Sequence, residues 1–138
     1  MSFRCVVVTP EQQALDETVT QAILPAHDGM IGIQTNRAPL LVKLGIGPLR
    51  VDLQGGKQRT FFVDSGIAQM KDNVLTVLTE QALLPEEIDV QAASAELEAA
   101  KAMPTKDARS LEQRQRAMAR GAMKQKLAST QAQAAGRH

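Results

Sequence analysis

The chain has 138 residues, enough for one domain or one domain with an appendage. Lys and Arg number 16 against 15 Asp and Glu, a net charge of +1, which argues against nucleic-acid binding through global charge. Three Phe with no Trp or Tyr, and a single cysteine, Cys5, exclude base-stacking platforms, aromatic membrane belts, an internal disulfide and a cysteine-rich metal site.

The two halves differ in composition. Residues 1–84 hold 21 of the β-branched residues and seven of nine glycines, whereas residues 85–138 hold four β-branched residues and 14 of 20 alanines. β-branched side chains pack well on a pleated sheet, and Ala loses no side-chain entropy in a helix. The switch at Leu84-Pro85 predicts a β domain over 1–84 and a helical segment over 85–138.

In the first half, turn signals cut the chain into short strands. Phe3–Thr9 stops at Pro10. Thr18–Leu24 follows, with Val19 and Ile23 as its apolar members, and ends at Pro25. His27-Asp28-Gly29 turns into Met30–Thr35, and Asn36-Arg37-Ala38-Pro39 forms a loop. Leu40–Leu44 is a short strand closed by Gly45. Pro48–Leu53 is another, with Leu49, Val51 and Leu53 on one face. Gly55-Gly56 makes a hairpin turn. Thr60–Val63 and Gly66–Met70 form a further pair, and Lys71-Asp72-Asn73 turns into Val74–Thr79. Short strands with close turns predict an antiparallel sandwich or flattened barrel.

In the second half, a helix from Val90 to about Met103 starts at Asp89 as N-cap or at Pro85 as first helical residue, and stops at Pro104. A second helix starts near Thr105–Ser110, with Ser110 and Gln113 as a capping box, and runs to about Ser129. Gly121 is a weak point costing about 1 kcal/mol against Ala. The short break between the helices predicts an antiparallel hairpin. Residues 85–105 carry a net −4 and residues 106–138 a net +6, so the helices attract each other when folded together. Their apolar stripe is thin: Leu97, then Leu111, Met118, Met123 and Leu127. Such a hairpin is marginal alone and leans on the β domain or on another protein.

Few residues offer chemistry. His27 sits in a turn and His138 is terminal, so no Ser/His/Asp set forms. Cys5 reads as a buried, inert thiol. Gly45 and Gly47 match no phosphate-cradling loop. Glu86, Glu87 and Asp89 cluster where a helix dipole favours anions, a simpler account than paired acid/base carboxylates. No catalytic or metal-binding residue is expected. No stretch approaches the ~20 apolar residues of a membrane span, and the first residues resemble neither a signal nor a transit peptide, so the chain reads as soluble and unprocessed. The informative feature is a basic row on the second helix: Arg109, Arg116, Arg120 and Lys124, spaced by seven, four and four. It is a solvated face, pairing Glu96 and Glu98 of the first helix, or a docking face for an acidic protein surface or a polyphosphate.

Several runs resemble the epsilon-subunit family of F-type ATP synthases. They are Leu24-Pro25 … Asp28-Gly29 … Gly32-Ile33 … Asn36-Arg37-Ala38-Pro39-Leu40, then Gly47-Pro48-Leu49-Arg50-Val51, Phe62-Val63-Asp64-Ser65-Gly66-Ile67-Ala68, Val74–Ala82, and Pro85-Glu86-Glu87-Ile88-Asp89. Arg37 replaces the family's usual His. The resemblance implies a non-catalytic rotor subunit whose sandwich binds the gamma subunit and the c-ring. It implies helices that fold against the sandwich or extend along gamma, where the basic row meets acidic loops of the alpha and beta subunits and restrains ATP hydrolysis. Contact with the membrane, the inner membrane of a bacterium or less plausibly that of an organelle, would be through the complex alone. Some members bind ATP with an Ile/Leu-Asp-x-x-Arg-Ala pattern and arginines on the second helix. Here Ile88, Asp89 and Ala93 match, Ala92 stands in place of the Arg, and Arg116 and Arg120 resemble the second-helix pair. The expectation is weak ATP binding or none. The alternative is an autonomous β-sandwich module whose basic helical tail docks on an anionic protein partner. A small enzyme comes third, for want of any acid/base or nucleophile set.

Overall fold

A computed structural model describes residues 2–35 and 38–135, with side chains described through Ser129. The chain forms two compact units, residues 1–84 and 85–138. The expected loop residues Asn36 and Arg37, and the terminal His138, lie outside the described residues.

The first unit is a seven-stranded sheet: β1 (Phe3–Val8), β2 (Gln13–Ala26), β3 (Gly29–Gln34), β4 (Leu40–Leu53), β5 (Gln58–Lys71), β6 (Val74–Leu78) and β7 (Ala82–Leu83). The order is β1-β6-β5-β4-β2-β3, and β1 also pairs with β2. That second pairing closes a ring of five strands, so two sheet edges disappear. The β1–β6 pairing is parallel and the others are antiparallel. The core is Phe3, Cys5 and Val7 of β1 with Leu15, Val19, Ala22 and Leu24 of β2, Leu49 and Val51 of β4, Phe61 and Val63 of β5, and Leu75 and Val77 of β6.

Three strand expectations are corrected. Leu40–Leu44 and Pro48–Leu53 are one strand, β4, running through Gly45, Gly47 and Pro48. Thr60–Val63 and Gly66–Met70 do not pair with each other; both belong to β5. The glycines mark a bend, not an end. Before the bend Leu44 faces the core, after it Leu49, Val51 and Leu53 do, and on the paired stretch of β5 the inward set changes from Phe61 and Val63 to Ala68 and Met70. Each long strand therefore serves both walls of the flattened barrel. The third correction concerns β2, which carries an irregularity between Val19 and Gln21. The bulge changes which side chains point inward, so Ala22 and Leu24 are buried and Ile23 only partly.

The bend in β5 is held tightly. Ser65 takes φ 58° and Gly66 φ 121°, and a Cβ on Gly66 would run into the Leu78 carbonyl oxygen. Buried Thr79 ties the spot down: its Oγ1 accepts from the Asp64 N–H (3.2 Å) and donates to the Asp64 carbonyl (3.1 Å).

The second unit has a 3-10 turn, Pro85–Glu87, then α1 (Val90–Lys101) and α2 (Ala108–Ala135). α2 continues past the expected end near Ser129.

Candidate functional site

Both helix starts are capped by aspartates. Asp89 Oδ1 accepts from the backbone N–H of Gln91 (3.0 Å) and Ala92 (3.1 Å), satisfying two donors that a helix start leaves unpaired. Glu86 and Glu87 lie in the preceding 3-10 turn, and α1 has no acidic residue in its first turn, so the dipole argument applies to Asp89 alone. At α2 the box sits three residues earlier than expected. Asp107 Oδ1 accepts from the Ser110 N–H (2.8 Å), and Ser110 Oγ accepts from the Asp107 N–H (3.1 Å). Ser110 is the returning partner of this box, not its first residue. The same backbone N–H of Ser110, with help from its hydroxyl, holds the Asp107 carboxyl below its usual pKa.

The helices meet through small residues. Ala93 and Ala100 of α1 are buried, and Leu97 lies between them on the same face. Opposite Leu97 is Gly121. A Cβ there would meet the Leu97 N and Cβ at 3.0 Å and its Cα at 3.1 Å. Gly121 is thus a point of close helix approach, where the missing side chain makes room for Leu97. Arg114 donates from Nε and Nη2 to the Lys101 carbonyl (both 3.4 Å), a cation on the last carbonyls of α1 where the helix dipole favours it. Of the expected apolar stripe, Leu111 is 40% exposed, while Leu127 is buried and Leu97, Met118 and Met123 are half-buried beside the alanines.

The basic row is not one uniform face. Arg109 and Arg116 are exposed, and Arg120 is half-buried. Arg116 lies 3.7 Å from Glu112 of its own helix. Lys124 Nζ reaches Glu96 Oε2 of α1 at 3.1 Å, with its side chain only 12% exposed. Glu98, expected to pair across the hairpin, instead pairs with Lys101 on its own helix at 3.3 Å. The ATP-pattern residues have local roles: Ile88 and Ala93 are buried, and Asp89 is the cap.

The sheet presents apolar side chains that the sequence reading did not single out. Ile67 and Leu78 sit directly across from each other on β5 and β6, each 44% exposed, with Lys43 opposite Ile67 on β4. At the β2–β3 turn, a cleft of about 560 Å³ is lined by His27, Met30, Leu41 and Lys43 among others. Leu41 and Met30 stand out of it at 68% and 56% exposure. The signal was available for Leu41: two adjacent leucines in a strand point to opposite faces. Arg4 clasps Asp16 with two bonds, 2.8 and 2.7 Å, which raises the Arg4 pKa and lowers that of Asp16.

Among the described residues no three His, Cys, Asp or Glu side chains come together as a metal site. Among the described residues no helix is long and apolar enough to cross a membrane. The arrangement offers contact surfaces: an apolar sheet face and a cationic helix face.

Residues 2–85 match the family model for the ATP synthase Delta/Epsilon chain, beta-sandwich domain. An ATP synthase epsilon chain of Rhodopirellula baltica is 44% identical over 105 residues, covering 76% of this chain and 81% of that one. One from Leptospira interrogans is 34% identical over 105 residues, covering 76% and 82%. Among solved structures, a chain of the Euglena gracilis mitochondrial ATP synthase (OSCP/F1/c-ring) aligns with a TM-score of 0.76 at 23% identity, covering 88% of this chain and 78% of that one. A chain of the Tetrahymena thermophila mitochondrial ATP synthase central stalk and c-ring aligns at 0.70 and 13% identity, covering 91% and 95%. These two structural likenesses speak to the fold.

Proposed function

The chain belongs to the ATP synthase epsilon-chain family, and from that membership we propose that it is a non-catalytic subunit of the central stalk of an F-type ATP synthase. The sandwich is the part that holds the gamma subunit and meets the c-ring. The hairpin exchanges between a closed form and one extended along gamma. In the extended form Arg109, Arg116, Arg120 and Lys124 face acidic loops of the alpha and beta subunits and restrain ATP hydrolysis. The protein is held at the cytoplasmic side of a bacterial inner membrane through the complex. ATP binds the hairpin weakly or not at all.

The observation that carries this reading is the family match along the whole sandwich. The hairpin supports the regulatory part. Three of its buried residues are alanines, Ala93, Ala100 and Ala128, and a gap of a few kcal/mol would suffice for a switch between two such states. The test is a pull-down of the tagged full chain against the gamma subunit of the same organism. Gamma is expected to co-purify in a stable complex. Recovery of the chain alone, with gamma present and soluble, would overturn the reading in favour of an autonomous module.

A further inference from the structure

The closed hairpin keeps one member of the basic row in its own seam. At about 100° per residue, steps of four along an α-helix drift by about 40°. From Arg116 through Arg120 to Lys124 the row therefore winds from the solvent side toward α1. The exposures follow that drift: the Arg116 side chain is 58% exposed, Arg120 is half-buried, and the Lys124 side chain is 12% exposed. At the end of the drift Lys124 Nζ lies 3.1 Å from Glu96 Oε2. Glu96 directly precedes Leu97, against which Gly121 packs, and Lys124 follows Gly121 by three. The ion pair and this close helix contact are thus adjacent in one seam.

We propose that Glu96 is an internal competitor for the basic row, a latch that holds Lys124 while the hairpin is closed and releases it only when α1 and α2 separate. This rests on the reading of the hairpin as an arm that docks on acidic protein surface. Glu96 offers Lys124 a carboxylate, the group an acidic partner would offer, so the two contacts exclude each other. The pair is partly sheltered from solvent, and salt screens it less than it screens the exposed Arg116. Closure withholds Lys124, and opening delivers it to the row at the moment the arm extends.

Two variants of the full chain test this, Glu96→Gln and Glu96→Lys, with the double exchange Glu96→Lys/Lys124→Glu as control. The interhelix distance is read by spin labels on the exposed positions Gln91 and Ala122. Loss of a partly buried ion pair is expected to raise the open fraction about threefold in Glu96→Gln, and more in Glu96→Lys, where like charges oppose. The exchange restores the closed distance. In the reassembled ATPase, Glu96→Gln is expected to hydrolyse ATP more slowly than wild type. The exchange variant, closed and with an anion in the row, is expected to hydrolyse it faster. Unchanged distances in both single variants overturn the latch. Opened hairpins with unchanged hydrolysis uphold the latch and overturn the inhibitory role of the row.

Discussion

Cys5 lies in β1 between Phe3 and Val7, fully buried. Burial pushes its thiol pKa up to about 12, and the nearby Asp16 charge adds to the push. An unfolded chain ionises cysteine near 8.5. The native state therefore holds its proton where the unfolded state loses it. This contribution is fully present below about pH 8.5 and falls as pH rises toward 12, by at most about 1.4 kcal/mol per pH unit. Urea unfolding between pH 7 and 10 should show stability declining at the alkaline end, and Cys5→Ala should lose that part of the slope. A second prediction belongs to Asp89. Its carboxylate is occupied by two backbone N–H groups, and Ala92 replaces the arginine of the ATP pattern that the resemblance suggests. A missing charge-assisted hydrogen bond is worth about 1.5–3 kcal/mol. Calorimetry at millimolar ATP should show weak binding or none, and tight saturable binding would contradict this. The sequence put Asp89 forward as a cap, beside Pro85 as the other possible start, because capping geometry is local, and the structure uses Asp89. The sequence also offered Glu96 and Glu98 as partners for the basic row: Glu96 does reach Lys124, 28 residues away in the chain, whereas Glu98 turns to Lys101 of its own helix.

Between elements, glycine was the residue hardest to read. In α2 the sequence suggests that Gly121 costs helix stability, and in an isolated helix Gly121→Ala would gain about 1 kcal/mol. Packing opposes that gain. With Leu97 backbone atoms at 3.0 and 3.1 Å from the site of the new Cβ, α1 must give way by a few tenths of an ångström. Gly121→Ala is expected to open the hairpin, read as a longer interhelix distance in the full chain, while leaving helix content by circular dichroism equal or higher. An unchanged distance would mean that the crossing is not the closing contact. The same ambiguity split β4 and β5. Gly45, Gly47 and Gly66 look like turns in sequence, but the ladder pairs Leu40 with Met70 and Asp52 with Gln58 in one register. A glycine states that the backbone is free to bend; it does not state whether a neighbouring strand follows the bend. Ile23 misleads for a related reason: alternation is periodic only until a bulge shifts it.

At the scale of the molecule, every member of the sandwich core lies before Pro85. Truncation after Leu84 is therefore expected to leave a folded sandwich that still binds gamma, with a cooperative unfolding transition. The ATPase carrying it should hydrolyse ATP faster, and an unchanged rate would make the helices a brace only. Arg116→Ala with Arg120→Ala should relieve inhibition in part, with a smaller effect at high salt, where screening already weakens exposed charges. The sequence by itself determined the class of each half, the sheet-then-hairpin order and the family, because side-chain branching, alanine content and short ordered motifs act locally. Tertiary structure alone decided that β1 closes the barrel beside both β2 and β6, that Gly121 seats a leucine, and which of the two offered carboxylates, Glu96, reaches Lys124. Those outcomes depend on which distant segments come within a few ångströms of each other, and no local pattern encodes that distance.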